Sequence, residues 1–221
     1  MFHETRSLCL LKEIEVEPVL QELREKHPEV EISLTSTFGS LQILFKSKQP
    51  VDKIIREMEK KFPTFMYGEG RIEEAVHREF IAEKKTLALA ESITGGRLAA
   101  QLTAIPGASK FLLGSIVAYS TQWKERFLHM SHSTPPVSRE AVEQMVQGLF
   151  EETDADFAAA LSGMAGPDAW TLYIAVGRRG TRIDSGKIAL PQERNAAIEF
   201  ATQTALGALW RRIAHNAFTF S

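Results

Sequence analysis

The chain has 221 residues, a formal net charge of −2, 44% hydrophobic and 24% charged residues, and a single cysteine, Cys9. This composition is typical of a soluble globular protein; the charge excludes a general attraction to nucleic acid, and one cysteine excludes an internal disulfide. Because no apolar run approaches the roughly 20 residues that span a bilayer and the N-terminus lacks a secretory pattern, we expect a cytoplasmic protein without a membrane partner.

Residues 1–70 alternate short strand-like and helix-like segments. The apolar spacing predicts strands at 7–14, 30–35, 41–45 and 64–67, with a hairpin turn at 36–40, and helices at 16–26 and from Pro50 to just before Pro63. The order β-α-β-β-α-β predicts a small α+β domain of the split βαβ kind. Through Lys84 the balance is thirteen basic minus sixteen acidic residues, or −3. RNA binding by this domain is therefore disfavoured, also because it lacks a basic G-x-x-G loop.

The pattern of helices and strands in residues 71–221 predicts a second, larger domain. Helices are expected at 72–83, 97–103, up to about Leu128, after the N-cap Ser138 and from Pro191 onward, and strands at 86–90, 116–119, 157–161, 172–176 and 182–190. Helices alternating with strands in this way predict a three-layer α/β/α domain with a mixed sheet. The apolar residues 217–220 are expected to dock against the rest of the chain.

Two predicted strands end in small polar residues that suggest a binding site. The first leads into Ser92-Ile93-Thr94-Gly95-Gly96 and then a helix, and the second into Ser120-Thr121-Gln122 with Lys124 just beyond. A helix N-terminus with glycines presents backbone N–H groups to an anion, so the sequence predicts a small anionic ligand here. A tight strand-to-helix turn without any ligand explains the first segment equally well.

Four ordered motifs carry a resemblance to a known family. They are Ala90–Gly96 (AESITGG), Pro106–Ser109 (PGAS), Val117–Lys124 (VAYSTQWK) and Ser162–Pro167 (SGMAGP). Together they resemble the C-terminal domain of the CinA family of competence/damage-inducible proteins, which includes nicotinamide-nucleotide amidases. The resemblance also implies that residues 1–70 correspond to the family's KH-like domain, and that its larger N-terminal domain is absent.

The resemblance implies an amide hydrolysis. Such a reaction needs a nucleophile, a base and stabilisation of an oxyanion. By analogy Ser109 is the nucleophile and Lys124 its base, with Tyr119 as proton relay. The expected substrate-binding residues are Ser92, Thr94, Gly95, Gly96, Gly163, Gly166 and Arg194. Taken singly, Ser109 could be a turn residue, Tyr119 the end of a strand, Lys124 a solvated lysine and Arg194 half of a surface ion pair.

The chain departs from the family pattern at several positions. Ile93 replaces a cysteine, Ala108 a serine and Ser115 a glycine, and Thr121 stands where asparagine is common. After Pro167 a glycine-rich loop with its lysine is shortened. Since Ser109, Tyr119 and Lys124 keep the family spacing, the resemblance nevertheless implies an amidase that converts nicotinamide mononucleotide to nicotinic acid mononucleotide and ammonia in pyridine nucleotide salvage. The alternative is a catalytically impaired nucleotide-binding or assembly protein.

The resemblance also implies a homo-oligomer, with a dimer favoured, and a small nucleotide as ligand. We expect neither a metal nor a cofactor, since the catalytic trio requires no metal and no Cys/His cluster has ligand spacing. His132, between two serines, is expected to be a solvated loop residue, and Cys9 a buried strand residue.

Overall fold

The structure, a computed structural model, describes residues 2–37 and 39–217. Within these residues the chain forms two sheets, one antiparallel and one mixed, together with seven α-helices. The predicted α/β architecture is thereby confirmed.

The first sheet is built from residues 2–68. Its elements are β1 (Phe2–Cys9), α1 (Glu13–Lys26), β2 (Glu31–Thr37), β3 (Ser40–Ser47), α2 (Asp52–Lys61) and β4 (Met66–Gly68). The strand order is β2-β3-β1-β4 with every neighbouring pair antiparallel, which is the split βαβ arrangement. Apolar residues of both helices pack on one face of this sheet, among them Leu20 and Met58 against Phe45.

The first strand lies elsewhere than predicted. The interval 7–14 was wrong, because β1 ends at Cys9 and α1 begins at Glu13. Leu10, at φ 60°, leaves the extended conformation and breaks the strand. The apolar run continues past that break because Leu10 and Leu11 pack against the cores on either side. Cys9 is buried as expected, and burial raises the pKa of its thiol to about 12.

The second sheet carries the predicted motifs. Its elements are α3 (Ile72–Glu83), β5 (Leu87–Glu91), α4 (Arg97–Thr103), β6 (Leu112–Val117), α5 (Thr121–Leu128), α6 (Arg139–Glu152), β7 (Phe157–Gly166), β8 (Ala169–Arg178), β9 (Asp184–Ala189) and α7 (Arg194–His215). The order is β6-β5-β7-β8-β9. Strands β6 and β7 run parallel to β5, whereas β8 and β9 are antiparallel to their neighbours.

Helices cover both faces of this sheet. One core includes residues of α3, α4 and α7, and the other includes residues of α5 and α6. The alanines Ala88, Ala90, Ala158 and Ala160 line the second face, which lets α6 approach the strands closely. The three-layer arrangement explains why β5 and the first half of β7 are buried on both faces.

Strand β6 also differs from its prediction. The interval 116–119 was wrong, since β6 begins at Leu112 and ends at Val117. The polar and small residues Gly114 and Ser115 hid the strand, because β6 lies at the edge of the sheet and does not need a continuous apolar run. The predicted docking of residues 217–220 falls largely outside the described residues, which end at 217.

The last helix joins the two sheets. In α7, Gly207 approaches Cys9 so closely that an added Cβ would stand 3.0 Å from the Cys9 Cβ. The Trp210 and Tyr67 rings meet edge to face, and the Arg211 guanidinium lies 4.0 Å from the centre of the Phe65 ring. Both sheets are thus packed on one helix, whose N-terminus at Arg194 faces the predicted site.

Candidate active site

Most of the predicted site residues, but not Ser109, lie where three parallel strands end. Strand β5 has β6 on one side and β7 on the other. The connection that follows β5 leads to β6 on one side, and the next connection leads from β6 back across to β7 on the other side. The carboxyl end of such a strand is a topological switch point, the usual place for a ligand site in an open α/β sheet. Ser92 and Thr94 follow β5, Tyr119 and Lys124 follow β6, and Ser162 lies on β7.

The helix that follows β5 already holds an anion, the side chain of Glu91. This carboxylate is fully buried. It accepts hydrogen bonds from Leu98 N (3.0 Å) and Ala99 N (2.9 Å) in the first turn of α4, from Thr94 Oγ1 (2.8 Å) and from Ser115 Oγ (2.9 Å). Four donors and a helix N-terminus together compensate the loss of its hydration. Sequence reasoning assigned Glu91 no role.

This arrangement bears directly on the predicted anion site at Thr94-Gly95-Gly96. Two backbone N–H groups at the start of α4 donate to Glu91, and the Thr94 hydroxyl does the same. Gly95 and Gly96 have positive φ, 60° and 96°, which glycine adopts without strain, so both are needed for the turn itself. Ser92 and Thr94 are buried. Of the predicted binding residues in this turn, Thr94 donates to Glu91, and Gly95 and Gly96 form the turn itself.

Lys124 is the second buried charge of the site. It lies in the first turn of α5 and is only 2% exposed. Its Nζ donates to the Pro136 carbonyl oxygen and to Ser162 Oγ, each at 2.7 Å. Neither acceptor carries a charge. Burial therefore lowers the pKa of the Lys124 ammonium from 10.5 to about 8, which makes the neutral amine accessible near neutral pH.

Ser162 positions this lysine. Its hydroxyl also donates to the Pro136 carbonyl oxygen at 2.7 Å, so Lys124, Ser162 and Pro136 form a closed triangle of hydrogen bonds. Ser162 is completely buried, so its oxygen is not open to a substrate. The sequence placed Ser162 in a motif without giving it a role. A small polar residue within the otherwise apolar run of β7 was the available signal.

Tyr119 and Arg194 meet at the rim of the site. Tyr119 is 63% exposed, and its hydroxyl accepts a hydrogen bond from Arg194 Nη2 at 3.0 Å. Arg194, the first residue of α7, also donates from Nη1 to the Ala165 carbonyl oxygen at 2.9 Å. These contacts hold the tyrosine ring above the strand ends. They also bring together two residues that are 75 positions apart in the sequence.

Ser109 lies at the opposite end of β6 from Lys124. It is exposed, in a short 3₁₀ turn (Ala108–Lys110) that precedes the strand. Its neighbour Phe111 bonds to Leu87 at the amino end of β5, whereas Ala118 bonds to Glu91 at the carboxyl end. Six residues of strand at about 3.3 Å each put roughly 20 Å between the two ends. Within one chain the structure therefore brings Tyr119 and Lys124 to one end of β6 and Ser109 to the other.

Comparison with known proteins identifies the family. The family model described as "CinA C-terminal domain" matches residues 69–213, more than half of the chain. The chain belongs to the CinA family. A CinA-like protein of Thermotoga sp. (strain RQ2) is 38% identical over 138 residues, which are 60% of this chain and 34% of that protein. A CinA-like protein of Leptospira biflexa serovar Patoc (strain Patoc 1 / Ames) is 30% identical over 198 residues, covering 84% of this chain and 47% of its own length.

Solved structures agree with this assignment. A CinA superfamily protein from Klebsiella pneumoniae 700603 superposes with a TM-score of 0.62 at 32% identity, covering 65% of this chain and 96% of the solved one. The chain spans about half the length or less of the curated CinA-like proteins above. The family model matches the second sheet with its helices, whereas the match to the Leptospira protein, at 84% of this chain, also includes part of the first sheet.

Two departures from the CinA pattern are accommodated by packing. Ile93 is buried, and an added Cβ at Gly163 would lie 2.8 Å from its Cδ1 and 2.7 Å from the Thr171 carbonyl oxygen, so Gly163 must lack a side chain. Ser115 stands where the CinA pattern has glycine, and its hydroxyl completes the shell of Glu91. Ile93 thus packs against a residue without a side chain, and Ser115 gains a hydrogen bond to Glu91.

The shortened CinA loop has become a tight hairpin. Strands β7 and β8 pair in unbroken register from Phe157–Arg178 to Gly166–Ala169, so Pro167 and Asp168 alone form the turn. Gly166 is therefore a hairpin residue beside the contact of Arg194 with Ala165.

The structure was also searched for groups that could bind a metal ion and for helices that could span a membrane. Among the described residues no group of His, Cys, Asp or Glu side chains is placed to hold a metal ion. His132 is 90% exposed beside Glu125, in the loop where it was expected. Over the same residues, no helix is both long and apolar enough to cross a bilayer.

Proposed function

We propose that the chain is an amidohydrolase that converts nicotinamide mononucleotide and water to nicotinic acid mononucleotide and ammonia. The observation that carries the proposal is Lys124, a buried lysine with only neutral partners at the switch point of a CinA-type sheet. Because its pKa is lowered to about 8, it can take a proton from a serine hydroxyl, which is too weakly acidic to react alone.

The proposed roles are those that the resemblance implies, whereas within one chain Ser109 lies at the opposite end of β6 from Lys124. Ser109 supplies the attacking oxygen, and Lys124 Nζ accepts its proton. The tetrahedral intermediate then expels ammonia, which takes that proton back from Lys124, and water hydrolyses the resulting acyl ester on Ser109. Tyr119, held by Arg194, contacts the reacting groups and relays protons. Arg194, at the rim of the site, would bind the substrate phosphate.

An ammonia-release assay tests this function. Purified chain with nicotinamide mononucleotide should release ammonia, and Ser109→Ala should reduce the rate by a factor of at least about 10². Ser36→Ala, an exposed serine on β2, is the matched control and should leave the rate unchanged. Equal rates for the chain and its Ser109→Ala variant would exclude the proposal.

The Pro167-Asp168 hairpin supports a second candidate function. If the trimmed loop has removed contacts needed for turnover, the chain is a nucleotide-binding protein of the same fold. In that case nicotinamide mononucleotide raises the melting temperature without releasing ammonia. The absence of a thermal shift together with the absence of ammonia would contradict both functions.

A further inference from the structure

A cleft of about 690 Å³ lies between the first sheet and the helices of the second. Its floor is the face of the first sheet that α1 and α2 leave uncovered, since the alternate residues Leu8, Leu41 and Ile43 pack with those helices on the other face. Its walls are residues 70–73, at the start of α3, and residues of α4 and α7. Among the described residues that line it, none belongs to the candidate active site. The volume is within the range of small-molecule sites, roughly 300–1,000 Å³.

The floor of the cleft carries a row of hydroxyl and amide groups. Ser7 of β1 lies opposite Gln42 of β3, and Gln42 lies opposite Thr35 of β2, so the three side chains stand side by side on one face. Gln42 and Thr35 are exposed. Ser40 of β3 and Tyr67 of β4 also line the cleft, and their hydroxyl oxygens are 2.9 Å apart. Each of these five side chains can both donate and accept hydrogen bonds.

The walls add two carboxylates, and each of them is paired with an arginine. Glu73 is only 5% exposed, and its Oε1 lies 3.1 Å from Arg71 Nη1. Glu199 of α7 forms an ion pair with Arg97 of α4. Two acidic and two basic side chains thus balance at the cleft. It therefore offers no general attraction to an anion or to a cation.

The walls also carry two amides and expose little apolar surface. Gln101 of α4 and Gln203 of α7 both donate from Nε2 to Glu199 Oε1, at 3.4 and 3.1 Å. Ile72 and the Tyr67 ring line the cleft but are only 2% and 5% exposed. Among the described lining residues there is thus no exposed aromatic ring on which a nucleobase could stack. What the cleft offers a ligand is hydrogen bonding from the floor and from the walls.

We propose that this cleft is a second ligand site, which binds a neutral sugar through its hydroxyl groups. A sugar hydroxyl both donates and accepts, as do the hydroxyls and amides of the floor and the walls. Glu73, which lines the cleft, supplies a carboxylate of the kind that accepts from ribose hydroxyls in dinucleotide sites. The balanced charge favours a sugar without a phosphate. The site is built by both sheets together and is independent of the proposed amidase function.

Saturation-transfer difference NMR on the full chain tests the site. A direct binding signal is needed because sugars at high concentration raise the stability of folded proteins without binding to them. D-ribose, D-glucose and sucrose are titrated separately, and at least one should give a saturable signal with a Kd of about 1 mM or below. Ribose 5-phosphate should bind no more tightly than D-ribose, because the cleft carries no net positive charge.

Two variants, each with a matched control, locate the bound sugar. Thr35→Trp fills the space above the floor and should abolish the signal, whereas Ser36→Trp, whose side chain points to the other face of the sheet, should retain it. Gln42→Leu removes the central donor and acceptor of the row and should raise the Kd at least about tenfold. Gln21→Leu, on α1, should leave it unchanged. All four positions are exposed, so the melting temperatures should stay close to that of the unmutated chain.

The outcomes decide the proposal without any measurement of activity. A signal that is lost in Thr35→Trp, weakened in Gln42→Leu and kept in both controls would establish the site. No saturable signal from any of the three sugars would overturn it and leave a water-filled space between the two sheets. A signal that survives Thr35→Trp, or tighter binding of ribose 5-phosphate than of D-ribose, would overturn it as well. None of these results depends on whether the chain releases ammonia.

Discussion

Two charged side chains are buried near the carboxyl ends of parallel strands, and their surroundings are opposite. Glu91 accepts four hydrogen bonds, two of them from the N-terminus of α4. Lys124 donates to one carbonyl and one hydroxyl and has no carboxylate partner among the residues that the structure describes, so its charged form is penalised by burial. A fully compensated charge holds a structure together, whereas an undercompensated one is available for proton transfer.

The largest expected effect comes from removing the undercompensated charge. Lys124→Met should lower ammonia release by about 10²- to 10⁴-fold, the range typical of a general base, because Met retains the length of the side chain but cannot accept a proton. The melting temperature should not fall, since the variant no longer buries an ammonium. Lys187→Met, an exposed lysine on β9, is the control for activity and stability. A marked loss of stability in Lys124→Met would assign this lysine a structural role.

The converse change removes the compensated charge. Glu91→Gln should destabilise the fold by about 2–4 kcal/mol in denaturant unfolding, because an amide nitrogen would face donors that now bond to a carboxylate. Glu193→Gln is the matched control. Glu193 also accepts from a helix N-terminus, at Asn195 N and Ala196 N, but from an exposed position, so its loss should be several-fold smaller. Equal losses from the two variants would contradict the structural role assigned to the buried network.

A smaller and graded effect is expected from pH. Below about pH 8 the rate of ammonia release should rise close to tenfold per pH unit, as Lys124 loses its proton, and then level off. The free energy of unfolding should also increase as the pH rises. The folded-state pKa lies below the ordinary 10.5, so the penalty is fully present below about pH 8 and disappears as the pH rises towards 10.5.

Unfolding curves of the chain and of Lys124→Met, measured across this range, isolate the contribution of the lysine. The difference between them should shrink as the pH rises from about 8 to 10.5. A rate that is flat between pH 6 and 8, or a difference that does not change, would show that Lys124 titrates near its ordinary pKa.

Local periodicity predicted much of the fold. The bounds 72–83 for α3 and 97–103 for α4 were confirmed, as was the N-cap Ser138 of α6, because each is set by residues close in sequence. Strands β1 and β6 were misplaced because the decisive features, the φ of Leu10 and the position of β6 at the sheet edge, depend on packing between distant segments.

The sequence by itself determined the family motifs and the types of residue available for chemistry, since these are properties of local spacing. Only the tertiary structure decided how they are used. In the folded chain the first N–H groups of α4 donate to Glu91, and Ser109 lies at the far end of β6. Hydrogen bonds join Lys124 to Ser162, 38 positions apart, and Tyr119 to Arg194, 75 positions apart. The physical reason is that burial, and the pKa that follows from it, depends on neighbours brought together by sheet order, which no local pattern records.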